Sequence, residues 1–87
     1  KDLTGLNSAT YTDAAGNKTV TSGNGVAITP VTGNTVTLTT TGLNNGGNTI
    51  TNVASGGNVV SNAANIGDVQ TAAAAAGSRH DSQQSPG

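Results

Sequence analysis

The residues able to do chemistry are few and scattered. His80-Asp81-Ser82 contains the residue types of a hydrolase triad, but a triad works because a fold holds nucleophile, base and orienting acid in mutual geometry. Three consecutive residues in a glycine-bounded tail do not provide that, and no catalytic role is expected of them. One histidine cannot build a metal centre without several convergent ligands, and Asp2, Asp13, Asp68 and Asp81 are dispersed, so neither a transition metal nor calcium is expected. The absence of cysteine removes thiolate metal sites and a disulfide framework. Gly23-Asn24-Gly25 leads into strand-forming residues rather than a helix, so it reads as a turn and not as a phosphate loop. Lys1, Lys18 and Arg79 lie far apart in a chain of net charge −1, which leaves no basic stripe to neutralise phosphates and argues against nucleic acid as a partner. Tyr11, the only aromatic, is the best candidate for a ligand contact, because exposed aromatics anchor interfaces. The competing reading is that it packs against Ala27 or Val20 within a sheet. The chain is therefore read as a non-enzyme without cofactors.

The composition turns attention from sites to assembly. In 87 residues, enough for one domain or a fragment of one, there is no Phe, Trp, Met or Glu, and Thr, Asn, Gly and Ser make up more than half of the chain. Eight Val, four Leu and three Ile are the only large aliphatics, too few to offset the ordering entropy of a compact monomer. Either the chain is disordered or it completes its core with copies of itself. Disorder goes with high net charge and few β-branched residues, whereas here charged residues are 8% and Thr and Val are abundant. Those are strand formers wherever a partner surface is available, so self-assembly is the expectation. No signal peptide and no long apolar run occurs, and this segment is not expected to contact a membrane.

The turn residues divide the first half into strands. Residues 9–12 and 17–21 read as two strands around Asp13-Ala14-Ala15-Gly16, and Ser22-Gly23-Asn24-Gly25 as the next turn, its Asn-Gly suited to positive φ. Val26 and Ile28 fall on one face of a third strand, with Val31 only a candidate continuation of it, and Ala27 and Thr29 fall on the other. Pro30 removes a ladder donor and ends that strand or places it on an edge. Residues 35–41 alternate, with Val36 and Leu38 on one face and Thr35, Thr37 and Thr39 on the other. Turns about every ten residues suit a β-meander. A sheet with two or three aliphatics per strand wants a second layer, and the same strands from another chain can supply it.

From Gly42 the pattern changes. Gly46-Gly47 and the surrounding asparagines suggest backbone passing close to another chain. Ser55-Gly56-Gly57-Asn58 forms a loop, and Ser61 and Asn62 are good N-cap residues at which a helix is expected to begin. Ile66, Val69, Ala73 and Ala76, spaced three, four and three, form one helical seam, with Asp68 near the positive end of the helix dipole. That seam is too weak for an isolated helix. From Gly77 to Gly87 no apolar residue occurs; this stretch reads as an expression scar or a natural linker and is expected to be disordered.

At Gly42-Leu43-Asn44-Asn45-Gly46-Gly47-Asn48-Thr49-Ile50-Thr51-Asn52-Val53-Ala54 the chain resembles the neck of trimeric autotransporter adhesins, fibrous surface proteins of Gram-negative bacteria. Ala63-Ala64-Asn65-Ile66-Gly67-Asp68-Val69-Gln70 is similar to the element that opens their stalk, with Gly67-Asp68 in place of the usual Ser-Gln pair. The resemblance covers about thirty residues directly. It implies a mainly β fold with a short C-terminal α-helix, assembled as a parallel homotrimer in which an intertwined β-rich module and neck lead into a three-stranded coiled coil. On that plan residues 1–41 are a head or connector, 42–62 the neck, 63–76 the start of the stalk and 77–87 the tail. It further implies a trimer interface at Leu43, Ile50, Val53, Ile66 and Val69, anchoring in the outer membrane through a C-terminal barrel outside this sequence, and adhesion to host extracellular-matrix or cell-surface molecules. The Asn17-Lys18-Thr19 glycosylation pattern carries no weight in such a protein. A trimeric phage tail-fibre segment and a directly ligand-binding adhesin head are the alternatives.

Overall fold

The computed structural model describes residues 2–84, with side chains described as far as Ser78. The chain divides into two compact units, Lys1–Ile50 and Thr51–Gly87.

The first unit is a five-stranded antiparallel meander of β1 (Ser8–Thr12), β2 (Lys18–Ser22), β3 (Gly25–Thr29), β4 (Val36–Thr39) and β5 (Gly42–Asn44), in sequential order. Local chemistry sets each turn. Between β1 and β2 the Asp13 carboxylate accepts hydrogen bonds from the Asn17 amide and side chain, both at 2.9 Å, an Asx-type closure. Between β2 and β3 only Gly23 and Asn24 lie in the loop, because Ser22 pairs with Gly25. The positive φ falls on Gly25 and not on Asn24. The β4–β5 turn at Thr40-Thr41 repeats this plan, closing on Gly42 with φ 123°. The two turns are joined: Thr40 donates from its amide to the Asn24 carbonyl and from its hydroxyl to the Asn24 side chain, each at 3.1 Å. Strand β3 ends at Thr29, just before Pro30, as a central strand between β2 and β4.

β5 was not expected from the sequence, which places residues 42–44 in the neck. Instead Leu43 pairs with Leu38 and Asn44 with Thr37. After β5 the asparagines fold the chain back on itself. Asn45 and Asn48 exchange side-chain-to-carbonyl bonds at 2.8 and 2.9 Å, and Asn34 donates to the Gly46 carbonyl at 2.9 Å. The close approach expected at Gly46 is to the same chain: a Cβ there would lie 3.0 Å from the Thr35 carbonyl oxygen.

The second unit is a hydrogen-bonded loop followed by α1 (Ile66–Gln84), about 28 Å long at 1.5 Å per residue. The helix starts four residues later than Asn62, with Asn65 as its cap. It also runs through Gly77, where disorder was expected; Ser85 to Gly87 lie outside the described residues. No described helix is long and apolar enough to cross a membrane. Among the described residues none is buried, apolar or polar.

Candidate assembly surfaces

The strand pairing sorts the first unit into two unlike faces. Residues opposite one another across an antiparallel pair share a face, so the registers trace rows across the sheet. One row runs Ala9, Thr21, Val26, Leu38, Leu43, and the next Tyr11, Thr19, Ile28, Val36. Seven of these nine are apolar or aromatic and none is charged. The opposite face carries Ser8, Thr10, Thr12, Lys18, Val20, Ala27, Thr29, Thr37, Thr39 and Asn44. The apolar face is uncovered: Tyr11 is 66% exposed, Leu43 61%, Leu38 58% and Ile28 44%, while Ala9, Val26 and Val36 are half-buried by their neighbours in the sheet. Tyr11 stands beside Thr19 on this face. The alternative packing against Ala27 or Val20 is ruled out by register, since both belong to the other face.

The second unit is organised around Asp68. Asn65 and Asp68 form a reciprocal capping box: the Asn65 side-chain oxygen accepts from the Asp68 amide at 2.9 Å, and Asp68 Oδ2 accepts from the Asn65 amide at 3.1 Å. This satisfies helix-start donors that would otherwise be unpaired. The same carboxylate reaches twelve residues back to the Gly56 amide at 2.8 Å and to the Ser55 hydroxyl. Hydrogen bonds from Ser55, then from the Gly56 and Asn65 amides, hold the Asp68 carboxyl below its ordinary pKa. Asn65 Nδ2 donates to the Val53 carbonyl at 3.0 Å and Asn62 Nδ2 to the Gly56 carbonyl at 3.1 Å. Gly56 is needed for this closure, because a Cβ there would stand 2.5 Å from the Ala63 carbonyl oxygen. The loop is thus clamped onto the first turn of the helix by one charged side chain and two asparagines.

Of the five residues expected at a trimer interface, Leu43 joins the apolar face of the sheet. Ile50 is exposed at the end of the first unit, and Val53 is half-buried with its carbonyl tied to Asn65. Ile66 and Val69 open the helical seam at 73% and 57% exposure. The clamp residues Ser55, Gly56 and Asn65 were missed as functional positions. The Asn65-x-x-Asp68 spacing is a helix-start pattern and could have identified the cap, but nothing local reveals the partners at residues 53–56. The backbone of His80-Asp81-Ser82 belongs to α1; their side chains lie outside the described residues. Among the described residues no three His, Cys, Asp or Glu gather at one place. No family model, curated protein or solved structure matches the chain.

Proposed function

We propose that this chain is a self-assembling structural segment of a bacterial surface adhesin of the trimeric autotransporter kind. Three parallel copies would associate through Leu43, Ile50, Val53, Ile66 and Val69, passing from a β-rich head or connector into a coiled-coil stalk that serves attachment to host matrix or cell-surface molecules. The observation that carries this reading is a regular sheet and helix without one buried residue among those described. A sheet faced with aliphatics and a helix with an exposed Ile/Val/Ala seam gain their hydrophobic stabilisation only when a further layer covers them. The clamp at Asp68 supports a neck role, because it fixes where the helix begins and hence the phase of Ile66, Val69, Ala73 and Ala76 relative to the chain before it.

Sedimentation equilibrium of the full chain at micromolar concentration tests the proposal. A species of three chain masses is the expected result, and Ile66→Asp is expected to dissociate it, since it would bring three like charges together at one level of the seam. A folded species of one chain mass, or a trimer indifferent to Ile66→Asp and to Ile50→Asp alike, would contradict it. The encoding gene separates adhesin from virion fibre: the first reading requires an export signal and a C-terminal barrel in the full protein.

A further inference from the structure

We infer that the apolar face of the five-stranded sheet, carrying Tyr11, Val26, Ile28, Val36, Leu38 and Leu43, is the surface on which copies of this chain meet, and that Tyr11 serves this contact rather than a host ligand. The inference rests on the self-assembling reading above and adds to it which face of the β unit is covered, and by what.

Three observations select a copy of the chain as the occupant. The first is chemical. The two rows contain no charged residue, and only Thr19 and Thr21 among their nine are neither apolar nor aromatic, so like faces approach without repulsion, whereas Lys18 and most of the hydroxyl and amide side chains occupy the other face. The second is energetic. Nothing in the described unit is buried without a further layer, so the occupant has to be present wherever the chain is folded, a condition met by another copy and not by an occasional ligand. The third is size. Four interstrand spacings of about 4.8 Å and two rows about 7 Å apart give a strip of roughly 20 by 10 Å, or roughly 200 Å² in projection. A stable pair of independent proteins covers about 800 Å² on each partner. The strip is too small to recruit a free partner by itself, but it suffices for a chain already held nearby by another contact. Association along the Ile66/Val69 seam brings the sheets of different copies to high local concentration in this way.

Tyr11 makes the test possible without mutation, because it is the only aromatic residue in the chain and therefore the only source of its fluorescence. Acrylamide quenching is measured on the full chain at a concentration where sedimentation shows the assembled species, and again in denaturant. The expected result is a quenching constant several-fold lower in the assembly. The double variant Y11F/T10Y moves the tyrosine to the opposite face of the same strand and is expected to restore ready quenching in an assembly of unchanged mass. An assembled wild-type chain whose tyrosine is quenched as readily as in denaturant overturns the inference while leaving the self-assembling reading intact. A protected tyrosine in the wild type together with an equally protected one in an assembled Y11F/T10Y overturns the choice of face. A folded monomer overturns both readings. If Y11F/T10Y does not assemble, the wild-type comparison decides.

Discussion

The register that builds the apolar face hangs on Gly25, and replacing it by alanine tests that register directly. Gly25 opens β3 with φ 138°, and a Cβ on it would lie 2.0 Å from the Leu38 carbonyl oxygen, 2.8 Å from the Thr39 Cα and 2.9 Å from the Leu38 carbonyl carbon. All three are backbone atoms, so no side chain can rotate out of the way. Restoring a carbon-to-oxygen contact of about 3.3 Å requires the strands to part by roughly 1.3 Å. The two bonds joining the neighbouring turns, both from Thr40 to Asn24 at 3.1 Å, do not survive a shift of that size. Losing both costs about 1–3 kcal/mol, and holding alanine at positive φ adds about 1–2 kcal/mol. Gly25→Ala should therefore destabilise the chain by about 2–5 kcal/mol, a large part of what holds any small domain together. Gly23, two residues earlier in the same turn, is the control. It has no atom within 4 Å of a built Cβ and no positive φ, and Gly23→Ala should be neutral or stabilise by about 0.4–1 kcal/mol through the unfolded chain. Urea unfolding followed by circular dichroism gives both numbers, with all variants at one chain concentration because association shifts apparent stability. Equal midpoints for Gly25→Ala and the wild type, or equal losses for the two variants, would refute the β3–β4 pairing as described.

The same substitution should change sign in the second unit. Gly56→Ala forces a backbone shift against the Ala63 carbonyl oxygen and is expected to cost about 1–3 kcal/mol. Gly77→Ala has open space inside α1 and should stabilise by about 1 kcal/mol, which thermal melts at fixed concentration will resolve. Asn65→Ala removes the cap and the tie to Val53, and a loss of about 1 kcal/mol with reduced helical ellipticity is expected. Acid should destabilise the fold. Hydrogen bonds from the Asn17 side chain and amide lower the pKa of Asp13, as those from Ser55, Gly56 and Asn65 lower that of Asp68. A carboxyl depressed in the folded state contributes stability above its unfolded pKa of about 3.9, and loses it as pH falls through the lower folded value. Melting temperature should thus be flat from neutral pH to about 5 and drop below about 4. Asp68→Asn should lower the neutral-pH value and flatten the acid limb; an unchanged limb in both Asp68→Asn and Asp13→Asn would remove these groups from the explanation.

How much of this was legible depended on how local the deciding contacts are. The alternation of Val26 with Ile28 and of Val36 with Leu38 gave the right faces, and Pro30 the right strand end, because both effects act within a few residues. β5 was hidden since Gly42-Leu43-Asn44 has a single apolar residue amid turn formers; its strand character comes from pairing with β4. The helix start was misplaced for a related reason. Ser61, Asn62 and Asn65 are all competent caps by chemistry, and the choice falls on Asn65 because it alone pairs with Asp68 three residues on and with the Val53 carbonyl twelve residues back. Tyr11 could be read as strand but not as belonging to a face with Ile28 and Val36, which requires the registers of three strand pairs. At Gly77 the lack of apolar residues suggested an end, yet high helix propensity over Ala72 to Ala76 carries the backbone onward.

These elements share a division of labour that explains a sequence so poor in apolar residues. Asp13, Asn17, Asn34, Asn45, Asn48, Asn62, Asn65 and Asp68 fix the turns and the helix start through side-chain bonds to backbone. The path of the chain is therefore specified by polar contacts that need no burial. Val26, Ile28, Val36, Leu38 and Leu43 are then free to lie on one sheet face and Ile66 and Val69 on one helical seam, where on the proposed assembly they would stabilise contact between chains instead of a core within one. It follows that the two classes of substitution should separate experimentally. Changes at the asparagines and glycines should alter unfolding at every chain concentration, through the geometry of each copy. Changes such as Ile28→Ala or Val69→Ala should shift the concentration dependence of assembly, because on the proposed reading their partners belong to another copy. If both classes moved the concentration dependence equally, local geometry and association would be one process, and the chain would acquire its turns only as it assembled.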